Sequence, residues 1–323
     1  MAAAIEIQGL EKKYSVGFWR KRSRYGLHPL DLTIEKGEIF GYLGPNGAGK
    51  TTTLKLLMGL IFPTAGMARI LGCDIRDSRI KSKIGYLPEQ PYFYDYLTAP
   101  ELLDYYGQLS GVPAKGRSQK IQAMLERVGL ADVGRLHLRK FSKGMLQRVA
   151  IAQAILHDPQ VVFLDEPMSG LDPMGRREVR DLIQSLKDEG KTVFFSTHIL
   201  SDAESLCDRV AVLHKGELRA VGAVTDLTDG GESEVELTWQ GERIAAVSSL
   251  AREWRTTGDT VRAILPEAML ERALDLLRRN QARLLSVNPV RMTLEQYFMQ
   301  KLGTTAQPAQ QTKSLEAAAG VVE

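Results

Sequence analysis

Several features that would assign a chain to a specialised class are scarce in this sequence. It has two cysteines, Cys73 and Cys207, whose wide separation argues against a disulfide framework or a metal site of paired thiols. No stretch approaches the ~20 apolar residues that a membrane span needs. Residues 1–6 lack the basic start and apolar run of a signal peptide. We therefore expect a protein of a reducing compartment that is soluble or peripheral to a membrane.

A strong excess of one charge is also missing. The 42 basic and 39 acidic residues among 323 leave a formal net charge of +3. This near balance argues against nucleic acid as a partner, because nucleic acids are bound by strongly basic surfaces. What is present is an ordinary globular composition, 44% hydrophobic and 25% charged, in a chain long enough for two domains.

The most informative segment is the loop at 44–51, which has the pattern G-x-x-x-x-G-K-[ST]. It follows a strand predicted over 38–43 and precedes a helix predicted over 52–58. In that setting the backbone N–H groups of the loop point at phosphate oxygens. Lys50 can reach the β and γ phosphates, and the Thr51 hydroxyl can hold Mg²⁺. The flanking elements argue against a chance glycine-rich turn.

Two carboxylates, Asp165 and Glu166, follow the apolar run at 161–164, which predicts a strand buried on both faces. A carboxylate at that strand end can hold Mg²⁺ opposite the phosphate loop. A second carboxylate beside it can polarise an attacking water. Solvated acids are common at strand ends, but their occurrence downstream of a phosphate loop favours the catalytic interpretation.

Strands alternate with helices through the first two thirds of the chain, which indicates an α/β fold around a mostly parallel sheet. The predicted buried strands are at 84–87, 161–164, 192–196 and 210–213. The predicted helices cover about 100–130, 142–156 and 175–189. Period-two alternation predicts half-buried antiparallel strands at 4–9 and 30–35.

A smaller domain is predicted after residue 224, where the composition shifts and a linker occupies 228–232. The predicted order is strand 233–239, helix 242–252, strand 260–265, helix 266–279, strand 283–287 and helix 293–302. Pro266 suits the first helical position, where its missing N–H costs nothing. We expect a compact βαβ-type α+β unit with helices on one face. The predicted domains are 1–224, 225–302 and a disordered tail at 303–323.

These motifs, in this order, make residues 5–222 resemble the ATPase subunit of an ABC transporter. Lys50 and Thr51 match the Walker A lysine and Mg²⁺ ligand, and Asp165 matches the Walker B aspartate. Glu166 matches the catalytic glutamate, and His198 matches the switch histidine that contacts the γ-phosphate.

Two further motifs extend the resemblance. The segment 169–172 matches the D-loop, and Tyr14 matches the aromatic residue that stacks on adenine. Trp19 and Tyr25 are rival stacking candidates, because a basic, aromatic loop at 17–26 lengthens this region.

The resemblance implies a P-loop NTPase domain with an antiparallel β subdomain and a helical subdomain at about 90–140. It implies ATP and Mg²⁺ as cofactors. The residues implied to bind nucleotide are Tyr14, Gly44, Pro45, Asn46, Gly47, Ala48, Gly49, Lys50, Thr51, Thr52, Glu89, Ser142, Gly144 and Asp172. The implied catalytic residues are Glu166, His198 and Lys50, and the implied metal ligands are Thr51, Asp165 and Glu89.

The sequence departs from the family pattern at two loops. The signature loop, usually Leu-Ser-Gly-Gly-Gln, here reads Phe-Ser-Lys-Gly-Met over 141–145. Ser142 keeps the hydroxyl and suits a helix N-cap, and Gly144 keeps the close backbone approach. Lys143 could contact phosphate or be solvated. The Q-loop glutamine is replaced by Glu89, with Gln90 as an alternative.

Both departures resemble one branch of the family, the ATPase subunits of ABC-2-type exporters. Members of that branch commonly read Ser-Lys-Gly-Met and Tyr-Leu-Pro-Glu at these loops. Many also carry a C-terminal extension that ends in a helix resembling Leu-Glu-x-x-Phe, here at 294–298.

The resemblance implies a head-to-tail pair of subunits, with each ATP held between the phosphate loop of one copy and the signature loop of the other. It implies a permease partner at the cytoplasmic face of a membrane and no nucleic acid. The aromatic residues Tyr92, Phe93, Tyr94 and Tyr96 are candidates for a groove that receives the permease, with core packing as the alternative. The basic run at 20–24 could contact lipid headgroups or be a solvated loop.

Two other functions compete with the exporter hypothesis. One is a soluble ABC ATPase that acts on ribosomes or DNA. Such proteins usually carry two cassettes or long coiled-coil insertions, which are absent from this sequence. The other is a nucleotide-responsive regulatory module with little turnover, against which Glu166 and His198 both argue.

Overall fold

The structure is a computed structural model that describes residues 3–16, 22–228, 234–290 and 293–301. The chain divides into two compact units, residues 1–224 and 225–323. Three predicted features lie wholly or largely outside the described residues. They are the linker at 228–232 beyond Thr228, the first half of the basic loop predicted at 17–26, which includes Trp19, and the tail at 303–323. The second half of that loop, 22–26, belongs to a strand, so its prediction as a loop is wrong.

The described part of the first unit forms ten strands and is rich in helices. The strands are β1 Ala3–Val16, β2 Arg22–Glu35, β3 Ile39–Leu43, β4 Ala65–Ile70, β5 Cys73–Asp74, β6 Ile84–Leu87, β7 Val161–Asp165, β8 Thr192–Thr197, β9 Arg209–His214 and β10 Glu217–Ala223. The helices are α1 Lys50–Leu57, α2 Ala99–Leu109, α3 Arg117–Arg127, α4 Lys143–Ile155, α5 Pro173–Asp188 and α6 Leu200–Leu206, and α7 Val224–Thr228 follows β10.

The strands of the first unit form two sheets. One is antiparallel, in the order β2-β1-β4-β5. The other has the order β10-β9-β3-β8-β7-β6, and all its pairings are parallel except that of β10 with β9. The predicted α/β fold with an antiparallel β subdomain is therefore confirmed. Sequence patterns missed the short strands β4, β5 and β10.

The centre of the parallel sheet is apolar because its strands are covered on both faces. Every residue of β3, β7 and β8 is buried. Phe194 packs its ring against Phe40 and Phe163, with ring centroids 5.9 and 5.6 Å apart. Since β3, β8 and β7 are parallel neighbours, their carboxyl ends meet at one edge of the sheet.

The predicted helical region consists of two helices, α2 and α3. At the start of α2, the Thr98 hydroxyl accepts from the Glu101 N–H, and the Glu101 carboxylate accepts from the Thr98 N–H at 2.8 Å. This reciprocal capping fixes the first turn of the helix. Helix α2 ends before Gly111, whose φ of 74° lies in the left-handed region.

The described part of the second unit is an antiparallel sheet with helices. Its strands are β11 Glu234–Gln240, β12 Glu253–Thr257, β13 Thr260–Pro266 and β14 Arg283–Val290, in the order β12-β13-β11-β14. Its helices are α8 Ala245–Ser248, α9 Leu270–Arg279 and α10 Leu294–Lys301. Because every strand pairing is antiparallel, the prediction of a βαβ-type unit is wrong.

Two local predictions in this unit are also wrong. The helix predicted over 242–252 is a single turn, α8, and the chain then enters strand β12 through a hydrogen bond from the Arg252 N–H to the Ile264 carbonyl. The β-branched pair Thr256 and Thr257 favours a strand here. Pro266 ends β13 with an extended ψ of 138° and precedes the helix instead of beginning it: the 3-10 turn Glu267–Met269 follows and leads into α9 at Leu270.

Candidate nucleotide-binding site

The phosphate loop leaves the carboxyl end of β3 and enters α1. Gly49 caps the helix with a φ of 108°, and a Cβ at this position would lie 2.7 Å from the Gly26 carbonyl oxygen. Only glycine satisfies both the left-handed backbone and this close approach. At Gly44 a Cβ would collide with the carbonyl oxygen of Leu213 on β9. The loop is therefore held tightly between neighbouring backbones, with the N-terminus of α1 at its end.

Lys50 is buried at the base of this loop. Its Nζ donates to the carbonyl oxygens of Gly44 at 2.6 Å and Pro45 at 3.4 Å. The same ammonium group lies 3.2 Å from Oε1 of Glu166, and both side chains are less than a tenth exposed. Lys50 thus bridges the phosphate loop and the carboxylate after β7. To meet a phosphate, it would exchange these oxygens for those of the ligand.

Glu166 lies at the end of β7 with a φ of 52°, an uncommon conformation for a residue with a side chain. Its N–H donates to the Ser196 carbonyl oxygen at 3.1 Å, which anchors the turn to β8. His198 Nδ1 donates to Glu166 Oε2 at 2.8 Å, so both carboxylate oxygens face a basic side chain. Residues 50, 166 and 198, far apart in the sequence, therefore meet at one point.

Asp165 is buried beside them. Its Oδ1 accepts from the Ser196 hydroxyl at 2.5 Å, whereas its Oδ2 is buried and has no hydrogen-bond partner of normal geometry. Burial raises the pKa of the Asp165 carboxyl, and the nearby hydroxyls of Ser196 and Thr51 oppose that rise. An unpaired carboxylate oxygen close to a hydroxyl fits the hard oxygen ligands that Mg²⁺ prefers.

The donors in this place are few. Among the described residues, no group of three or more His, Cys, Asp or Glu side chains is arranged to hold a metal ion.

The phosphate loop opens into a cavity of about 670 Å³ whose far wall is aromatic. Tyr14 and Tyr25 both line it and are each 39% exposed. The Tyr14 ring rests on Gly26, where a Cβ would collide with it. Tyr25 is already stacked on His28, with ring centroids 3.9 Å apart. A lysine ammonium group also lies over each ring, Lys12 at 5.4 Å from the Tyr14 centroid and Lys13 at 4.7 Å from that of Tyr25, so both tyrosines stay stacking candidates.

The two Q-loop candidates differ in their relation to the cavity. Glu89 is exposed and lines the cavity together with Glu166 and Thr52. Gln90 is exposed as well but is not among the lining residues.

The signature loop and the D-loop lie elsewhere in the unit. Ser142 caps α4, its hydroxyl accepting from the Met145 N–H at 3.2 Å, and Asp172 caps α5 by accepting from the Gly175 N–H at 2.8 Å. Lys143 reaches the D-loop, because a Cβ at Gly170 would collide with its ammonium group. None of the described residues 142–144 and 169–172 lines the nucleotide cavity.

Sequence patterns did not identify every residue that builds the site. The Ser196 hydroxyl donates to Asp165 and accepts from the Glu166 N–H, whereas the sequence pattern predicts only that Ser196 ends a strand. His28, half-buried in β2, stacks on Tyr25. These contacts join residues of different strands or of one strand turned to the same side, and no local motif marks such positions.

Among the described residues, no helix combines the length and the apolar character required to cross a membrane. The exposed apolar side chains of the first unit include three tyrosines before α2. Tyr92, Tyr94 and Tyr96 are 97%, 51% and 62% exposed, which excludes core packing within this unit as their role.

Comparison with known proteins gives consistent matches. The model of the ABC transporter family matches residues 27–169. An uncharacterized ABC transporter ATP-binding protein of Synechocystis is 44% identical over 93% of this chain and 85% of its own. The bacitracin transport ATP-binding protein BcrA of Bacillus licheniformis is 42% identical over 68% of this chain and 69% of its own.

A solved structure shares the fold. It is a dimeric post-hydrolysis state of an ATP-binding cassette bound to ADP and Pi, with a TM-score of 0.62 and 26% identity. The match covers 68% of this chain and 98% of the other. The resemblance drawn from the motifs is thereby confirmed.

Proposed function

The chain belongs to the ABC transporter ATP-binding proteins, and from this membership we propose that it hydrolyses ATP to power a separate membrane exporter of the ABC-2 type. The similarity to a bacitracin transport protein supports coupling to transport. The Ser-Lys-Gly-Met signature and the Tyr-Leu-Pro-Glu loop support the ABC-2 branch. The subunit would act at the cytoplasmic face of the membrane, held there by its permease.

The observation that carries the proposal is a nucleotide cavity that one copy leaves incomplete. The cavity has a phosphate loop, an aromatic wall and a catalytic carboxylate, but no described signature-loop residue lines it. Ser142 and Gly144 lie exposed or half-exposed at the N-terminus of α4, where backbone N–H groups favour an anion. A second copy, arranged head to tail, would bring this helix end to the open side of each ATP.

Within each composite site the buried residues have distinct roles. Lys50 would move from the Gly44 carbonyl and Glu166 to the β and γ phosphates. Glu166, once released, would accept a proton from the attacking water as general base. His198 would orient Glu166 through its 2.8 Å contact and approach the γ-phosphate. Tyr14 would stack on the adenine ring.

Thr51, Asp165 and Glu89 would hold Mg²⁺, with the unpaired Oδ2 of Asp165 as the strongest candidate ligand. When bound, the ion would neutralise charge on the β and γ phosphates. Asp165 would keep the hydrogen bond of its Oδ1 with the Ser196 hydroxyl, and its Oδ2 would bind the ion.

The permease would bind beside the exposed tyrosines. A cavity of about 500 Å³ next to them is lined by residues that include Tyr92, Phe93, Tyr106 and Leu109. Replacement of Tyr94, which is 51% exposed, by Ala should lower transport and leave the basal ATPase rate unchanged. Full transport by this variant would argue against the tyrosines as the contact surface.

The composite site can be tested by mixing two inactive variants. Lys50→Ala disables the phosphate loop, and Gly144→Asp puts a negative charge where the signature loop would meet phosphate. A Cβ at Gly144 meets only ordinary contacts at 3.9–4.0 Å, so this variant should fold. Each variant alone should lack turnover, because both of its sites carry a defect.

Mixed dimers would carry both defects in one site and none in the other. At equal amounts, half of the dimers are mixed, so about a quarter of all sites are intact and a comparable fraction of activity should return. No recovery, with both variants folded and exchange of subunits demonstrated, would refute a site shared between two copies. Copurification with a polytopic membrane protein would test the coupling to transport.

A further inference from the structure

An ion pair between a half-buried arginine and a buried carboxylate belongs to none of the motifs described above. Arg176 Nη2 donates to Asp202 Oδ2 at 3.1 Å, and the Asp202 side chain is only 2% exposed. Arg180 lies nearby, and its Nε is buried without a hydrogen-bond partner. Burial raises the pKa of Asp202, while the Arg176 and Arg180 charges lower it.

The two partners belong to the elements that follow the D-loop and the switch histidine. Arg176 is in the first turn of α5, where its N–H donates to the carbonyl of Asp172 at 3.0 Å. Asp202 is in the first turn of α6, four residues after His198. The ion pair therefore ties the start of one helix to the start of the other.

Further hydrogen bonds connect both of these segments to Glu166, the catalytic carboxylate. His198 donates to Glu166 at 2.8 Å, and the Ser169 N–H at the start of the D-loop donates to the Glu166 carbonyl at 3.1 Å. The charges of Glu166 and His198 both act on the pKa of Asp202. A displacement of α6 would therefore move His198, which precedes this helix in the chain. Through the bond between Asp202 and Arg176, it would also move the start of α5 next to the D-loop.

We propose that Arg176 and Asp202 are positioning residues for ATP hydrolysis. They hold the D-loop and the switch histidine in fixed positions relative to Glu166. The inference rests on the proposed function, in which Glu166 and His198 act on the ATP of a composite site.

A purely stabilising role makes a different prediction. Replacing a buried ion pair by apolar side chains of similar size is often neutral or stabilising, whereas removing one partner leaves a buried charge unpaired. The double variant Arg176→Met/Asp202→Leu should therefore fold as well as the wild type. If the pair positions the loops, this well-folded variant should still hydrolyse ATP slowly.

The test measures thermal unfolding, affinity for a fluorescent ATP analogue, and kcat for Mg-ATP. We expect the double variant to keep its unfolding temperature and to bind the analogue within about twofold of wild type. Its kcat should fall by about tenfold or more, because small misplacements of catalytic groups are costly. Arg176→Lys, which keeps the charge, should recover part of the lost kcat.

A matched control lies one residue along the same helix. Arg177 forms an exposed pair with Asp181 at 4.0 Å, and Arg177→Met should change none of the three readouts. Turnover by the double variant within about twofold of wild type would overturn the positioning role. Absence of turnover in the wild type would overturn the proposed function itself, and the two failures are thus distinguishable.

Discussion

Replacement of Glu166 by Gln gives the sharpest prediction, because this side chain connects the two halves of the site. Its Oε1 lies 3.2 Å from Lys50 Nζ and its Oε2 2.8 Å from His198 Nδ1, with only 7% of the side chain exposed. Glutamine keeps the shape and one carbonyl acceptor. It removes the negative charge and the ability to take a proton from water.

Two effects of different size should follow from Glu166→Gln. Loss of the general base should slow ATP hydrolysis by about 10²–10⁴-fold, or about 3–5 kcal/mol in activation free energy. Without nucleotide, Lys50 also loses its buried anionic contact with Glu166. Because Gln can still accept a hydrogen bond, the free energy of unfolding should fall by only about 1–3 kcal/mol.

The assays are phosphate release at saturating Mg-ATP, equilibrium binding of ATP, and light scattering with and without ATP. ATP binding should persist, and since hydrolysis no longer separates the copies, ATP should trap a dimer. Glu126→Gln, an exposed side chain bonded to Gln122, is the matched control and should behave as wild type. Turnover of Glu166→Gln near the wild-type rate would refute Glu166 as the residue that activates water.

Three further predictions concern single side chains. Lys50→Ala should lose ATP affinity by equilibrium binding, since the cation at the base of the loop is removed, and wild-type affinity would contradict the phosphate-loop assignment. Asp165→Asn should raise the unfolding temperature of the nucleotide-free protein, because burial raises the pKa of this carboxyl and therefore disfavours its ionised form in the fold. This gain in unfolding temperature should grow as pH rises from below the unfolded-state pKa of Asp165 through its raised folded-state pKa, and a pH-independent gain would contradict the argument. The same variant should lose the extra stabilisation that Mg-ATP gives the wild type. Gly170→Ala should lower the free energy of unfolding by about 1–2 kcal/mol through its left-handed backbone and should also displace Lys143. Gly190→Ala, with a similar φ of 78° and open space around it, should show the backbone cost alone.

The parallel sheet at the centre of the first unit was predictable because its strands are strongly apolar, whereas β4, β5 and β10 were missed and β1 and β2 are longer than predicted. The buried strands β3, β7, β8 and β9 match the predicted apolar runs to within a residue or two at each end. The second unit was less so. At 242–252 the local pattern suits a helix, but only the turn Ala245–Ser248 is helical, and the Arg252 N–H already bonds to Ile264 of β13, where β12 follows. Tertiary contacts commonly override weak propensity. The unit's antiparallel order also depends on pairings that no local pattern encodes.

The sequence by itself determined the chemistry of this protein. A glycine-rich loop between a strand and a helix, and two acids after an apolar run, are local arrangements whose conformation neighbouring residues dictate. The tertiary structure alone decided which groups meet. Lys50, Glu166 and His198 converge because β3, β8 and β7 are parallel neighbours that end at one edge. It also decided that Asp202 is buried against Arg176, since pairing between distant segments depends on strand order and helix packing, which emerge only when the whole chain has folded.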